Sequence, residues 1–104
     1  MPRIRNDRSD SIDTLFRAIL SLQSVEECYC FFGDLLTVQE LASFAQRLQV
    51  ARMLSDGMTY ESIRSEIATS SSTITRVNTE LRYGSGGYKM VLERLFPKEA
   101  PNAQ

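Results

Sequence analysis

Apolar residues recur at helical spacing in the first third of the chain. The first stripe consists of Ile12, Leu15, Phe16, Ile19 and Leu20, and the second of Val25, Cys28, Tyr29, Phe32, Leu35 and Leu36. Both stripes follow the i, i+3, i+4, i+7 template of a helix that buries one face. The first helix is predicted to begin at Ser9 to Ser11. The second opens at Ser24, where Ser24-x-x-Glu27 has the pattern of a capping box, and ends near Asp34.

A third, longer helix follows, and it is apolar on more than one side. It opens with a second capping box, Thr37-x-x-Glu40, and ends at Asp56-Gly57. Three apolar stripes in the first half of a 104-residue chain need more cover than so short a chain supplies. We therefore expect an intertwined dimer, with a compact monomer as the alternative.

Residues 58–83 have the pattern of two short helices joined by a polar turn. Thr59 can cap the first helix, whose inner face carries Ile63 and Ile67. A polar run over residues 69–72 interrupts the apolar period, which then restarts as Ile74, Val77 and Leu81. The pattern predicts a helix-turn-helix.

The second short helix carries small hydroxyls and one guanidinium on its polar face. At 100° per residue its apolar stripe leaves these side chains on the opposite side: Ser72, Thr75, Arg76, Thr79 and Tyr83. Such a face can approach DNA closely, because hydroxyls bind phosphates or base edges and Arg binds guanine or phosphate. An ordinary solvated amphipathic helix has the same pattern, so the pattern alone leaves both interpretations open.

The end of the chain predicts one more helix. The glycines within residues 84–87 can end the preceding helix and form a flexible connection. A last apolar stripe runs from Tyr88 to Phe96 and ends at Pro97. No segment alternates long enough to predict a strand, so the expected fold class is all-α. We expect a flexible basic arm over residues 1–8, one domain over 9–96 and a disordered tail over 97–104.

Composition narrows the functional classes. The formal net charge is −1, so no broad basic footprint for nucleic acid is present. Histidine is absent, and there is no glycine-rich phosphate loop or nucleophile elbow, so we expect neither an enzyme nor a metal or cofactor site. Cys28 and Cys30 lack the spacing of a zinc site. No apolar run suggests a membrane span or a secretory signal, which predicts a cytoplasmic protein.

Several segments in this order resemble the bacterial Trp repressor family. These are Leu35-Leu36-Thr37 opening a long helix, Arg47 within it, Gly57-Met58 before the helix-turn-helix, and Thr73-Ile74-Thr75-Arg76 in its second helix. Leu81-Arg82-Tyr83-Gly84 with Gly87-Tyr88 is similar to the smaller YerC/YecD-type group. The resemblance covers roughly residues 12–96 and implies an interwoven homodimer with one DNA-reading helix in each protomer.

The resemblance also implies site residues. DNA contacts would fall on Tyr60, Arg64, Ser71, Ser72, Thr73 and Thr75. Arg76, on the polar face of the second short helix, is a further candidate that either faces DNA or braces a pocket. An effector pocket would use Thr37, Arg47 and Arg76, which match residues around the family's tryptophan. Val77 replaces a glycine and Glu80 a serine there, so tryptophan is expected not to bind, and whether any small corepressor does is open.

Two functions follow as expectations. The first is a repressor-like, sequence-specific transcription regulator that inserts residues 59–83 into the major groove of double-stranded DNA as a homodimer. The second is a helical dimerisation or adaptor protein that keeps the architecture but has lost DNA binding, as the nearly neutral charge allows.

Overall fold

The described part of the chain is built from helices alone. The computed structural model describes residues 8–98, in which six helices and no strand occur: α1 Asp10–Leu20, α2 Val25–Leu35, α3 Val38–Ser55, α4 Tyr60–Glu66, α5 Ser71–Tyr83 and α6 Gly87–Leu95. The predicted all-α class is confirmed. The predicted arm, apart from Arg8, and the tail beyond Lys98 lie outside the described residues. None of the helices described is long and apolar enough to cross a membrane.

Side-chain caps fix where the first three helices begin. Ser9 Oγ accepts a hydrogen bond from the Ile12 N–H at 3.2 Å. The box at Thr37 is reciprocal, because Thr37 Oγ1 accepts from the Glu40 N–H at 3.1 Å while Glu40 Oε1 accepts from the Thr37 N–H at 2.8 Å. The box at Ser24 differs in one bond. Glu27 N–H donates to Ser24 Oγ as predicted, but Glu27 Oε1 accepts from the Gln23 N–H instead of the Ser24 N–H.

The chain divides into two compact units, and the boundary falls within α3, between Ala45 and Gln46. In the second unit, the last turns of α3 and the three following helices share one small core. That core consists of Val50, Ala51, Ile63, Ile74, Val77 and Leu92. Since each of these helices contributes at least one buried side chain, the core fixes how α4 and α5 are rotated about their axes.

The first unit has no comparable core in the single chain. None of its described residues, 8–45, is buried, although α1 and α2 carry the predicted apolar stripes. Several large apolar side chains are exposed, including Leu20 at 83% and Val38 at 86%, while others such as Leu15 and Phe32 are only partly buried. The single chain therefore leaves both stripes only partly covered.

Gly57 ends α3 in the way its sequence position predicted. Its φ of +87° lies in the left-handed region, which side-chain-bearing residues rarely adopt. The Gly57 N–H donates to the Leu54 carbonyl at 3.0 Å and the Met58 N–H to the Met53 carbonyl at 3.1 Å, which together form a Schellman motif. This motif turns the chain out of α3 and into the Thr59 cap of α4.

Replacing Gly57 by Ala should therefore destabilise the fold. We expect Gly57→Ala to lower the free energy of unfolding by about 1–2 kcal/mol, because a Cβ disfavours the left-handed conformation. Gly87→Ala is the matched control, since Gly87 is the first residue of α6 and a Cβ there meets nothing within 4 Å. Urea unfolding of both variants at one protein concentration measures the difference. Equal stability would contradict the proposed role of the left-handed turn.

Candidate nucleic-acid interface

The two short helices are oriented by their apolar inner faces. Ile63 of α4 and Ile74 of α5 are both fully buried, and α4 packs against α5. Because successive helical residues are 100° apart, the residues beside these anchors turn outward. Arg64, Thr75 and Arg76 are accordingly exposed. The predicted helix-turn-helix thus presents one polar outer face.

A cluster of hydroxyls forms the start of α5. Ser70 is the N-cap, and its Oγ accepts from the Thr73 N–H at 3.1 Å. The Ser70 hydroxyl also donates to Thr73 Oγ1 at 3.0 Å and lies 3.0 Å from Ser72 Oγ. The structure therefore places Ser72 and Thr73, both predicted DNA-binding residues, in the first turn of α5, together with a cap residue that the sequence pattern did not single out.

One hydrogen bond joins the two helices across their turn. Arg64 Nη1 donates to Ser71 Oγ at 2.7 Å, and both side chains are exposed. Ser71 is the first residue of α5 and lies seven positions beyond Arg64, so no spacing rule within a single helix predicts the contact. Two of the predicted DNA-binding residues are thus brought together directly.

The remaining predicted contacts divide between the outer face and the core. Tyr60 is only half-buried and packs against the core that anchors α4. Thr75 and Arg76 lie further along the exposed face of α5. The Thr79 hydroxyl, which the sequence placed on the same face, donates to the Thr75 carbonyl at 2.9 Å. Thr79 is therefore bonded to its own helix.

The turn between the short helices is also tied to α3. Gln46 Nε2 donates to the Ala68 carbonyl at 2.8 Å, which satisfies a backbone acceptor in the turn. Gln46 and Ala68 are 22 positions apart, and a single glutamine gives no sequence signal for such a bond. Gln46 is a positioning residue that sequence reasoning missed.

The residues predicted to hold an effector have different surroundings. Thr37 caps α3 and is described within the first unit. Arg47 and Arg76 are exposed residues of the second unit. Val77, whose side chain was expected to exclude an indole, is only 2% exposed and belongs to the core. The effector pocket stays a prediction.

The described residues of the second unit also form shallow grooves away from this face, of which two are relevant here. One, of about 550 Å³, lies between the last turn of α3 and α6, and Arg52, Asp56, Lys89, Glu93 and Lys98 give it mixed charge. The Arg52 guanidinium carbon lies 3.5 Å from the centroid of the Phe96 ring. The other, of about 450 Å³, is lined partly by Leu81, Arg82 and Tyr83. None of the predicted effector residues lines either groove.

Comparison with known proteins places this arrangement in a family. A model described as Trp repressor protein matches residues 10–96. The chain belongs to the Trp repressor family. The uncharacterized protein YerC of Bacillus subtilis (strain 168) is 48% identical over 96 residues, which is 92% of each chain. The family resemblance inferred from the sequence, including its YerC-type group, is therefore confirmed.

Solved structures show the same Trp-repressor-like fold. A TrpR-like protein from Eubacterium eligens ATCC 27750 has a TM-score of 0.84 at 43% identity, covering 89% of this chain and 96% of that one. A candidate Trp repressor from Staphylococcus aureus also has a TM-score of 0.84, at 46% identity, covering 89% of this chain and 93% of its own. The Trp repressor family is a regulatory, DNA-binding family and not an enzymatic one.

Proposed function

We propose that this protein is a sequence-specific DNA-binding transcription regulator of the repressor type. The observation that carries the proposal is the outer face of the helix-turn-helix. Burial of Ile63 and Ile74 leaves Arg64, Thr75 and Arg76 exposed on that face. Membership of the Trp repressor family supports the proposal, because this family places the second helix of the motif in the major groove.

The side chains on this face are suited to two kinds of DNA contact, one that sets affinity and one that sets sequence specificity. Arg64 lies in the last turn of the short helix α4 and is suited to a phosphate, since a guanidinium donates several hydrogen bonds in one plane. Ser72 and Thr75 are short hydroxyl residues in the first two turns of α5, where recognition helices approach base edges. Phosphate contacts set the affinity and the register on the duplex, and base contacts set the preferred sequence.

A homodimer is the assembly that best accounts for the first unit. Every described residue of 8–45 is at least partly exposed. The exposed side chains include these large apolar ones: Ile12, Phe16, Leu20, Val25, Tyr29, Leu35 and Val38. Exposed apolar area on this scale marks an interaction surface. A second copy of the chain carries the same stripes and can cover them isologously. Two copies also supply two recognition helices for two half-sites.

A second function remains compatible with the near-neutral charge. With 12 basic and 13 acidic residues, the protein has no general electrostatic attraction to DNA. The same is expected of a helical adaptor that has lost DNA binding. Selection of bound sequences from a random DNA pool, with and without a panel of amino acids, distinguishes the two. A regulator enriches a defined sequence and binds it with steep salt dependence, whereas an adaptor enriches none.

The first prediction from this proposed function is that the protein sediments as a dimer at micromolar concentration. Its unfolding midpoint should rise with protein concentration, because folding of the first unit is then linked to association. Sedimentation velocity over a dilution series, paired with thermal unfolding at the same concentrations, measures both. A monomer that is unchanged on dilution would rule out the interwoven arrangement.

The second prediction concerns Arg64 and DNA affinity. Arg64→Ala should weaken binding to every sequence and reduce the slope of log K against log salt by about 0.9 for each phosphate that the variant no longer neutralises. Arg82→Ala is the matched control. It removes the same charge, but Arg82 Nε donates to Asn78 Oδ1 at 3.0 Å near the other end of α5. Fluorescence anisotropy at several salt concentrations makes the comparison, and equal slopes for the two variants would refute the role of Arg64.

The third prediction concerns sequence preference. Replacing Ser72 or Thr75 by Ala should change the preference for individual base pairs by about 1–3 kcal/mol per affected base while leaving the salt slope intact. Repeating the random-pool selection with each variant shows the shift directly. If both variants select the wild-type sequence with the wild-type preference, these hydroxyls do not contact bases.

The fourth prediction is that free tryptophan does not bind. The family resemblance puts Val77 where the family has a glycine, and its branched side chain would intrude on an indole lying against the backbone. The same resemblance puts Glu80 in place of a serine, where its charge would oppose the carboxylate of the ligand. An overpacked site costs about 1–3 kcal/mol, which turns a micromolar ligand into one that is about ten- to a hundredfold weaker. Calorimetric titration of the wild-type protein tests this, and saturable binding at micromolar tryptophan would show the prediction wrong.

A variant that restores the family's residues provides the converse experiment. If the Val77 side chain is what prevents tryptophan from binding, the double variant Val77→Gly, Glu80→Ser should bind tryptophan. Because Val77 is buried, the first substitution should also cost about 2–4 kcal/mol of stability through the cavity it leaves and the helical glycine it adds. Thermal unfolding with and without tryptophan separates a folded variant that binds from one that has merely unfolded.

A further inference from the structure

Arg64 and Ser71 form a side-chain pair that spans the turn of the helix-turn-helix. The donor is Arg64 Nη1 and the acceptor is Ser71 Oγ, at 2.7 Å. The pair connects the last turn of α4 to the first residue of α5 on the exposed side of both helices. A hydrogen bond with a charged donor at this distance is among the stronger protein hydrogen bonds.

The Ser71 hydroxyl is available for this bond because another residue caps the helix. Ser70 is the N-cap and accepts the Thr73 N–H, so Ser71 Oγ has no part in satisfying the backbone at the start of α5. A serine hydroxyl offers one donor and two acceptor lone pairs, and one of those lone pairs is used by Arg64. The hydroxyl is thereby oriented toward α4.

The geometry of the guanidinium leaves most of its donors available. Arg carries five N–H donors in a planar fork, of which Ser71 uses one. An exposed Arg side chain otherwise loses considerable rotamer freedom when it is fixed on a ligand. A bond that already restrains the guanidinium in the free protein reduces that loss, and the remaining donors can still bind a phosphate bidentately.

We propose that Ser71 is a positioning residue that holds the Arg64 guanidinium in place for the DNA backbone and does not itself contact DNA. This inference rests on the proposed DNA-binding function and refines it. Sequence resemblance predicted Ser71 as a DNA contact equal to Ser72. The hydrogen bond assigns the two serines different roles, with Ser71 contributing to affinity through Arg64 and Ser72 contributing to the choice of sequence.

The test is a double-mutant cycle of Arg64→Ala and Ser71→Ala, measured on the selected DNA sequence and on an unrelated duplex. Ser71→Ala should weaken binding to both duplexes by roughly two- to tenfold, the effect expected for one hydrogen bond. In the Arg64→Ala background, Ser71→Ala should weaken binding no further. Ser71→Thr, which keeps the hydroxyl, should bind within about twofold of the wild-type protein.

Matched serine variants separate positioning from other effects of removing a hydroxyl. Ser72→Ala should change the preferred sequence, which Ser71→Ala should not. Ser85→Ala removes an exposed hydroxyl beyond the end of α5 and should leave affinity unchanged. Additive effects in the cycle, or a change of sequence preference in Ser71→Ala, would overturn the proposal and make Ser71 a direct DNA contact.

A measurement on the free protein keeps the inference separate from the proposed function. Side-chain nitrogen relaxation of Arg64 by NMR should show a more mobile guanidinium in Ser71→Ala than in wild type or Ser71→Thr. If wild type binds no DNA at low salt, the proposed function fails while this measurement still decides whether Ser71 restrains Arg64. Equal mobility in wild type and Ser71→Ala would overturn the inference even if the protein binds DNA.

Discussion

The burial of Ile63 and Ile74 against α3 and α6 is the constraint on which the candidate interface depends. Both side chains are fully buried, in a core that also takes Val50 and Ala51 from α3 and Leu92 from α6. A helix can bury only one face, so fixing Ile63 fixes the direction of Arg64, and fixing Ile74 fixes that of Thr75. The polar outer face is therefore a geometric consequence of the core and not an independent feature of the surface.

The small size of this core makes the helix ends important. An isolated helix as short as α4, with seven residues, is not stable in water. The entropy lost in forming the first turn exceeds the free energy that its few hydrogen bonds contribute. The caps reduce this deficit: Thr59 Oγ1 accepts from the Ser62 N–H at 3.1 Å, and Ser70 Oγ does the same for Thr73. Together with the Gly57 turn and the Gln46 bond to Ala68, these caps limit how far α4 and α5 can shift.

The sequence predicts local features well and contacts across the turn poorly. The helices, the cap at Ser24, the box at Thr37 and the helix end at Gly57 follow from short, local spacings, which the backbone geometry of a helix imposes. The bonds from Arg64 to Ser71 and from Gln46 to Ala68 depend on how one helix is placed against another, which no local spacing encodes. For this reason the sequence pattern alone could not give the hydrogen-bond partners of the serines at the start of α5.

If this protein binds DNA as a homodimer, as proposed, its association and its DNA binding are linked. Residues 8–45 bury no side chain completely in the single chain, so apolar burial within that chain stabilises α1 and α2 less than a closed core would. If a second copy supplies the missing cover, dimer formation is coupled to folding, and only a dimer brings two recognition helices to one operator. A single protomer would contact only one half-site, and its nearly neutral net charge gives it no general attraction to DNA. The second half-site adds its contacts without a second loss of translational freedom, and this gain exists only while the dimer is intact. Operator affinity would thereby depend on protein concentration even in the absence of any effector.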